Sequence, residues 1–346
     1  MKKIIIAPLN WGLGHATRCI PIINALIANN FIPIIASDGN ALTFLQKEFP
    51  DLESLKLPSY NISYAKNVKW SLFLQLPKII KAVQKEHQVI ANFITKNKDV
   101  IGIISDNRFG VRNKKVPSVY LTHQLTVLSG CTTFLTSKIH QKIISKFDEC
   151  WIPDTENHQF SGRLSSTKNS KISTKYIGVL SRFQKKEVVK QFDVLVILSG
   201  VEPQRTLLEN RLLSVFKYTD KNVVFIQGQV ENQQKIIKEN GVTVYNFMLS
   251  KELETTINQS ELVVCRSGYS SIMDLAVLQK KVFFIPTEHQ TEQEYLAFYA
   301  HQQKLAPFCK EKEFTIKLLE KRNNFYGLSS EPTTLNADLF RLFHCK

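Results

Sequence analysis

The densest chemistry in the chain lies between Leu262 and Ala276. Leu262-Val263-Val264-Cys265 is a short apolar run, Arg266-Ser267-Gly268-Tyr269-Ser270 is a turn, and the residues up to Ala276 open a helix. A strand, turn and helix in that order leave several backbone N–H groups aimed at one spot, which suits an anion such as a diphosphate. Asp274 follows just inside the helix, and its carboxylate can accept hydrogen bonds from a ribose diol. After the next strand come Glu288, His289, Gln293 and Glu294, a mixture of donors and acceptors fit for sugar hydroxyls. Ser199-Gly200-Val201-Glu202-Pro203-Gln204-Arg205 follows a third buried run and opens another helix, a second natural phosphate loop. Each residue alone reads equally well as a cap or a surface group. Together, the three strand-end loops indicate a nucleotide-sugar pocket.

The other concentration is near the N-terminus, where Gly12-Leu13-Gly14-His15 leads into a helix. Gly12 and Gly14 with Asp38 after the next strand suggest a dinucleotide fingerprint, but Thr17 replaces its third glycine and His15 intrudes. The alternative is an open loop with His15 at a helix N-terminus, a position that favours a neutral imidazole and hence a general base. A histidine that merely caps its helix would look the same. His123 and Gln124 stand at another strand end, and Asp106, Asn107 and Arg108 at a third; each set reads as site or as hydrogen-bonded loop. Glu156 and His158 receive no assignment.

These residues need a scaffold. Lys3–Pro8 is apolar on both faces, as a parallel strand covered by helices must be. Further strands are expected at 31–36, 101–105, 118–122, 149–152 and 175–177, separated by helical stretches: one Rossmann-like half. Gly178 to Phe183 and the charged run to Lys190 form the expected hinge. A second open parallel set is expected at 194–198, 223–226, 242–245, 262–265 and 282–285. Two such halves place strand C-terminal ends on a shared cleft. The expected division is 1–180, 181–325 and a helical tail 326–346, in which Leu335, Leu339 and Leu342 recur at near-helical spacing.

Bulk composition fits that picture. A chain of 346 residues exceeds one ordinary core, and 43% apolar with 10% aromatic content is globular. No apolar run reaches the roughly 20 residues of a membrane span. The run Ile4 to Leu9 is too short for a secretory leader and reads as a strand. The scattered cysteines at 19, 131, 150, 265, 309 and 345 lack any Cys-x-x-Cys pair, which argues for a reducing compartment and against structural zinc. A formal charge of +15 favours an anionic partner, although solubility alone would also account for it. Trp70 to Lys81 mixes aromatics and lysines as a membrane-surface helix does, and as a buried helix with a basic outer face also does.

Val263 to Gly268, Asp274-Leu275-Ala276, Phe284-Ile285-Pro286, His289 and Gln293-Glu294-Tyr295 together resemble the C-terminal domain of family 28 glycosyltransferases, most nearly the MurG type. Gly12-Leu13-Gly14-His15 and, more loosely, Thr122-His123-Gln124 extend the likeness to the first half. The resemblance implies an α/β GT-B fold: two Rossmann-like domains with parallel sheets facing an interdomain cleft, acceptor in the first and nucleotide-sugar donor in the second. It implies an inverting, metal-independent hexosyltransferase using a UDP- or dTDP-sugar as co-substrate, with no other cofactor. The acceptor is a hydroxyl, lipid-linked in the MurG type, and the setting is the cytoplasm at the inner, anionic membrane surface.

By the same resemblance Asp274 stands where the family binds the ribose with a glutamate, and Gln293 and Glu294 where two glutamines hold the sugar. Arg182 stands for a hinge arginine near the phosphates, Phe247 and Met248 lie against the base, and Ser199, Gly200, Arg266, Ser267, Gly268, Tyr269, Ser270, Glu288 and His289 complete the donor side. His15 is the catalytic base, with Gly12, Gly14, His123 and Gln124 on the acceptor side. The single glycine in Ser199 to Pro203, the fewer glycines of the first loop and Glu294 in place of glutamine depart from the family and bear on which sugar and acceptor are read. A UDP-sugar 2-epimerase and a non-catalytic sugar-nucleotide-binding subunit are the rival readings. No recognition motif supports nucleic acid.

Overall fold

The computed structural model describes residues 2–60, 68–166, 171–200, 202–239 and 241–344, with side chains except those of residues 68–74, 76 and 131. The chain divides into two compact units. Met1–Asn10, His15–Gly178 and Thr333–Lys346 form the first; Trp11–Gly14 and Val179–Pro332 form the second. The crossing at Gly178 lies where the sequence places its hinge. The tail differs from expectation: residues from Thr333 onward belong to the first unit rather than standing apart.

The first unit is built on seven strands: β1 (Lys3–Pro8), β2 (Ile32–Ser37), β3 (Ser54–Lys56), β4 (Val100–Asp106), β5 (Ser118–Leu121), β6 (Glu149–Ile152) and β7 (Thr174–Tyr176). Their order is β3-β2-β1-β4-β5-β6-β7, and every neighbouring pair is parallel. Its helices are α1 (Gly14–Ala28), α2 (Gly39–Glu48), α3 (Val68–Lys96) and α4 (Thr133–Ile144). In a parallel sheet all C-terminal strand ends share one edge. That edge therefore carries Asn10 and His15 after β1, Asp38 after β2, Asp106 to Arg108 at the end of β4 and His123 after β5.

Ile5 and Ala7 of β1, Ile34 and Ala36 of β2 and Ile103 of β4 pack with Ile90 and Ile94 of α3 in one apolar cluster. Each fully buried aliphatic side chain contributes about 1.5–3 kcal/mol. The sheet is closed by the tail. Residues Ala337–Phe343 form a 3-10 turn instead of the expected α-helix, with Leu339, Phe340 and Phe343 buried. Trp151 meets Phe340 and Phe343 edge-to-face, with centroids 6.0 and 6.2 Å apart. Gly102 leaves room for this contact, because a Cβ there would lie 2.2 Å from Cδ1 of Phe343.

Below the strand edge lies a buried ionic network. The guanidinium of Arg108 donates to Asp38, to Glu86 Oε1 at 2.6 Å and to the Pro8 carbonyl at 2.9 Å. Tyr60 Oη donates to Glu86 Oε2 at 2.8 Å. Asp38 therefore has a structural partner, which removes it as the ribose acid of a dinucleotide site.

The second unit contains β8 (Phe192–Ile197), β9 (Val223–Ile226), β10 (Ile236–Glu239), β11 (Val242–Tyr245), β12 (Ser260–Cys265) and β13 (Lys281–Phe284) in the order β10-β11-β9-β8-β12-β13. Its helices are α5 (Gln204–Phe216), α6 (Ser250–Asn258), α7 (Tyr269–Val277) and α8 (Thr291–Gln302). The core draws on Val194, Val196, Phe216, Phe225, Val264 and Phe283. The sheet is not wholly parallel, contrary to expectation. β10 pairs antiparallel with β11, and all four residues of β10 are exposed. An exposed edge strand buries no apolar face, so its hydrophobic pattern is uninformative.

Candidate active site

In the first unit, helix α1 carries the chemistry on its first turns. Gly12 has φ +72 and no neighbour within 4 Å of a would-be Cβ, so it serves backbone conformation rather than close approach. His15 and Arg18 are three residues apart and share a face of the helix. His15 Nδ1 lies 2.8 Å from Asp106 Oδ1. Arg18 forks onto the same carboxylate, Nε to Oδ2 at 2.6 Å and Nη2 to Oδ1. Its Nη1 lies 3.1 Å from His123 Nδ1. Asp106 is fully buried and His15 keeps 16% of its side-chain surface exposed.

Burial alone would push the Asp106 carboxyl up, but Arg18 and His15 outweigh it and hold the group at about 2. Asp106 is therefore ionised throughout the neutral range. Burial drives His140, which lies 3.2 Å from Tyr120 Oη, down to about 4, so that ring is neutral at pH 7. Gln124 is half-buried, and its N–H donates to Thr122 Oγ1 at 3.1 Å. The structure brings His15 and His123 onto one cluster, together with Asp106, which the sequence reading left open between site and loop, and Arg18, which it did not single out. The available signal was helical spacing: His15 and Arg18 at i and i+3, facing the end of β4.

In the second unit, α7 begins at Tyr269 after Gly268 as N-cap, in extended conformation. N–H groups of such a first turn have no carbonyl within the helix to bond. Asp274 sits a turn further in, its side chain 13% exposed and 3.7 Å from Arg182 Nε. Ser181 Oγ donates to Asp274 Oδ1 at 2.8 Å. Burial raises the Asp274 carboxyl above its usual value, opposed by Arg182 and Ser181. Arg182 Nη1 also donates to Ser250 Oγ at 3.1 Å. Asp274, Arg182 and Ser181 thus form one connected group, of which Ser181 was not anticipated.

Other donor-side expectations need correction at the level of side chains. Arg266 is 1% exposed, and its guanidinium donates to the carbonyls of Ile285, Pro286 and Gln204 and to Glu311. It ties strand ends together rather than reaching solvent. Tyr269, Phe247 and Met248 are buried, at 2%, 6% and 5% exposure. Ser267 Oγ donates to the Gln293 carbonyl at 2.7 Å, and Gln293 Oε1 accepts from the Thr287 N–H at 2.9 Å. Gln293 thereby holds the loop before α8, with its amide nitrogen as its other polar group. Glu294 Oε1 accepts from the His289 N–H at 3.0 Å, and Glu288 and His289 are exposed. Ser270 is half-buried, as is Ser199 before exposed Gly200; Val201 lies outside the described residues. Glu202 closes the start of α5 by accepting from Arg205 Nε at 2.6 Å and Thr206 Oγ1 at 2.8 Å.

Among the described residues no helix is long and apolar enough to cross a membrane, and no cluster of three metal-ligating side chains occurs. Trp70 and its neighbours up to Leu74 belong to α3, with side chains outside those described. The structure instead exposes apolar side chains on α4. Phe134, Leu135 and Ile139 are 71%, 60% and 54% exposed, and Lys138 Nζ stands 4.2 Å over the Phe134 ring. Lys142 and Lys146 are exposed beside them.

Two α/β units with these sheets are the GT-B architecture, and the chain is a glycosyltransferase. It is similar across 99% of its length to a solved spinosyn forosaminyltransferase, SpnP, with TM-score 0.66 at 11% identity over 99% of that chain. A solved MurG from Acinetobacter baumannii gives TM-score 0.55 at 13% identity, covering 99% of this chain and 98% of that one. Residues 194–328 match the glycosyltransferase family 28 C-terminal domain. A Haemophilus ducreyi relative, "UDP-N-acetylglucosamine--N-acetylmuramyl-(pentapeptide) pyrophosphoryl-undecaprenol N-acetylglucosamine transferase", is 22% identical over 288 residues, 78% of this chain and 77% of its own. The Pasteurella multocida protein of the same name is 25% identical over 64% of this chain and 58% of its own.

Proposed function

We propose that the protein moves a hexose or N-acetylhexosamine from a nucleoside diphosphate sugar, UDP in the first instance, to a hydroxyl acceptor. The observation that carries this reading is the 2.8 Å contact between His15 Nδ1 and the buried carboxylate of Asp106. A carboxylate on Nδ1 leaves Nε2 of the ring as the proton acceptor. His15 Nε2 takes the hydroxyl proton as that oxygen bonds to the anomeric carbon. The bond from the anomeric carbon to the diphosphate oxygen breaks, the nucleoside diphosphate leaves with the electron pair, and the sugar inverts.

Leaving-group charge grows along this path, and N–H groups at the start of α7 are suited to it without a metal. Asp274 is assigned the ribose hydroxyls, sharing its carboxylate with Ser181. Gln293 contributes its amide nitrogen and Glu294 a carboxylate oxygen toward the sugar. The curated relatives act on a polyprenyl-linked acceptor, which supports a lipid-linked hydroxyl here. The apolar, lysine-flanked face of α4 supports attachment to an anionic membrane surface on the cytoplasmic side. A 2-epimerase would need further acid and base carboxylates. The buried candidates Asp38 and Glu86 are instead held by Arg108.

The test is thermal stabilisation by UDP-, dTDP- and GDP-sugars in wild type and Asp274→Ala. Stabilisation of wild type by one of them, weakened in the variant, is expected. No stabilisation by any sugar nucleotide would sink the donor assignment. Equal stabilisation of both proteins would remove only the role of Asp274.

A further inference from the structure

One buried arginine touches both histidines of the first unit. Arg18 Nη1 is 3.1 Å from His123 Nδ1, and Nη2 is 2.8 Å from His15 Nδ1. A guanidinium only donates. Nδ1 of His123 must therefore accept, which puts that ring's proton on Nε2. His15 Nδ1 has two neighbours of opposite character, the donor Nη2 and the acceptor Asp106 Oδ1. Nη2 already donates to that same Oδ1. An ionised carboxylate is the stronger pull on the ring, so the His15 proton sits on Nδ1 and its Nε2 is bare.

The remaining groups do not compete. Cys19 Sγ is 3.6 Å from Asp106 Oδ2, and burial pushes its thiol well up, so it stays neutral. Burial likewise pushes the Tyr120 hydroxyl of β5 well up, and that group engages Asn107 and His140. Arg18 and Asp106 are charged groups in direct contact with these rings.

We propose that Arg18 is a positioning residue which, by forking on Asp106 and donating to His123, fixes His15 and His123 in opposite tautomers. One ring then presents a lone pair and the other an N–H. The consequence for turnover rests on the base role given to His15 above, whereas the tautomers are a property of the free protein.

The experiment is a long-range nitrogen–proton correlation on the full chain labelled with 15N-histidine, at neutral pH. His15→Gln and His123→Gln serve to assign the rings. Wild type is expected to show His15 protonated on Nδ1 and His123 on Nε2. Arg18→Lys keeps the buried charge but replaces the planar fork with one compact ammonium. In that variant His123 should lose its single tautomer. UDP release from UDP-N-acetylglucosamine should fall at least about tenfold in kcat, with KM within about twofold. Arg18→Met, where it folds, should likewise lose the His123 preference; where it does not, Arg18→Lys decides alone. His123 protonated on Nδ1 in wild type, or both tautomers unchanged in Arg18→Lys, would overturn the proposal. A wild type with the expected tautomers but no UDP release would contradict the proposed reaction and leave the tautomer assignment standing.

Discussion

His15 Nδ1 and Asp106 Oδ1 lie 2.8 Å apart although 91 positions separate them in the chain. The start of α1 and the end of β4 reach the same edge of one parallel sheet, and that edge brings the pair together. Asp106→Asn retains the shape but removes the charge that orients the ring. Turnover should fall by roughly 10²-fold or more, the usual worth of a positioned general base, with little change in KM. Steady-state release of the nucleoside diphosphate measures it.

The same carboxylate has a pH signature. Its folded value, about 2, lies below the ordinary 3.8. Between those values the unfolded chain binds more protons, so this contribution is complete above about pH 4 and disappears as pH falls toward 2. It amounts to something on the order of 2 kcal/mol. The melting temperature of wild type should fall more steeply over that window than that of Asp106→Asn.

Lys280 carries a slope of the same sign in an alkaline window, but as a group whose charged form is destabilised by folding. Its ammonium donates to the Ser260 carbonyl at 2.6 Å, and burial, then Lys190, brings it from 10.5 to about 7. The unfolded chain binds the extra proton between about 7 and 10.5, so stability should rise with pH through that window. Lys280→Met should flatten the rise, as followed by urea midpoints at pH 7 and pH 9.5.

Arg108 is the keystone of a charged cluster with Asp38 and Glu86. Burial raises the Glu86 carboxyl, with Arg108 and Tyr60 opposing it. Arg108→Met strands two carboxylates below the strand edge and should cost about 3–5 kcal/mol in denaturant unfolding. A loss below about 1 kcal/mol would mean that the cluster reorganises at little cost.

Much of this was legible in the sequence. Apolar runs such as Ile4 to Ala7 of β1 and Leu262 to Cys265 of β12, buried on both faces, read as strands, and the turn Arg266 to Ser270 follows the second. What escaped has physical reasons. β10 is solvent-exposed on an edge and buries no apolar face, so no hydrophobic alternation marks it. The tail's aromatics serve a sheet more than 150 positions earlier in the chain, a pairing that local periodicity cannot show. Arg266 and Tyr269 sit in a phosphate-loop motif, yet their side chains point into the fold, and composition cannot distinguish a backbone role from a side-chain role. Asp106 was visible at a strand end, but its value came from Arg18 and His15, both on another element.

On α4, Phe134, Leu135 and Ile139 face solvent beside exposed lysines. Replacing the three by serine should reduce sedimentation with vesicles containing anionic phosphatidylglycerol and leave hydrolysis of soluble UDP-N-acetylglucosamine unchanged. Undiminished vesicle binding would remove α4 from the membrane-facing surface.

The most direct measurement is the release of UDP from UDP-N-acetylglucosamine, and from other UDP-, dTDP- and GDP-sugars, by wild type and His15→Ala. Saturable release from at least one of them is expected, reduced roughly 10²-fold or more in the variant while donor stabilisation is kept. Release from none of them, or equal release by both proteins, would contradict a glycosyl transfer with His15 as its base.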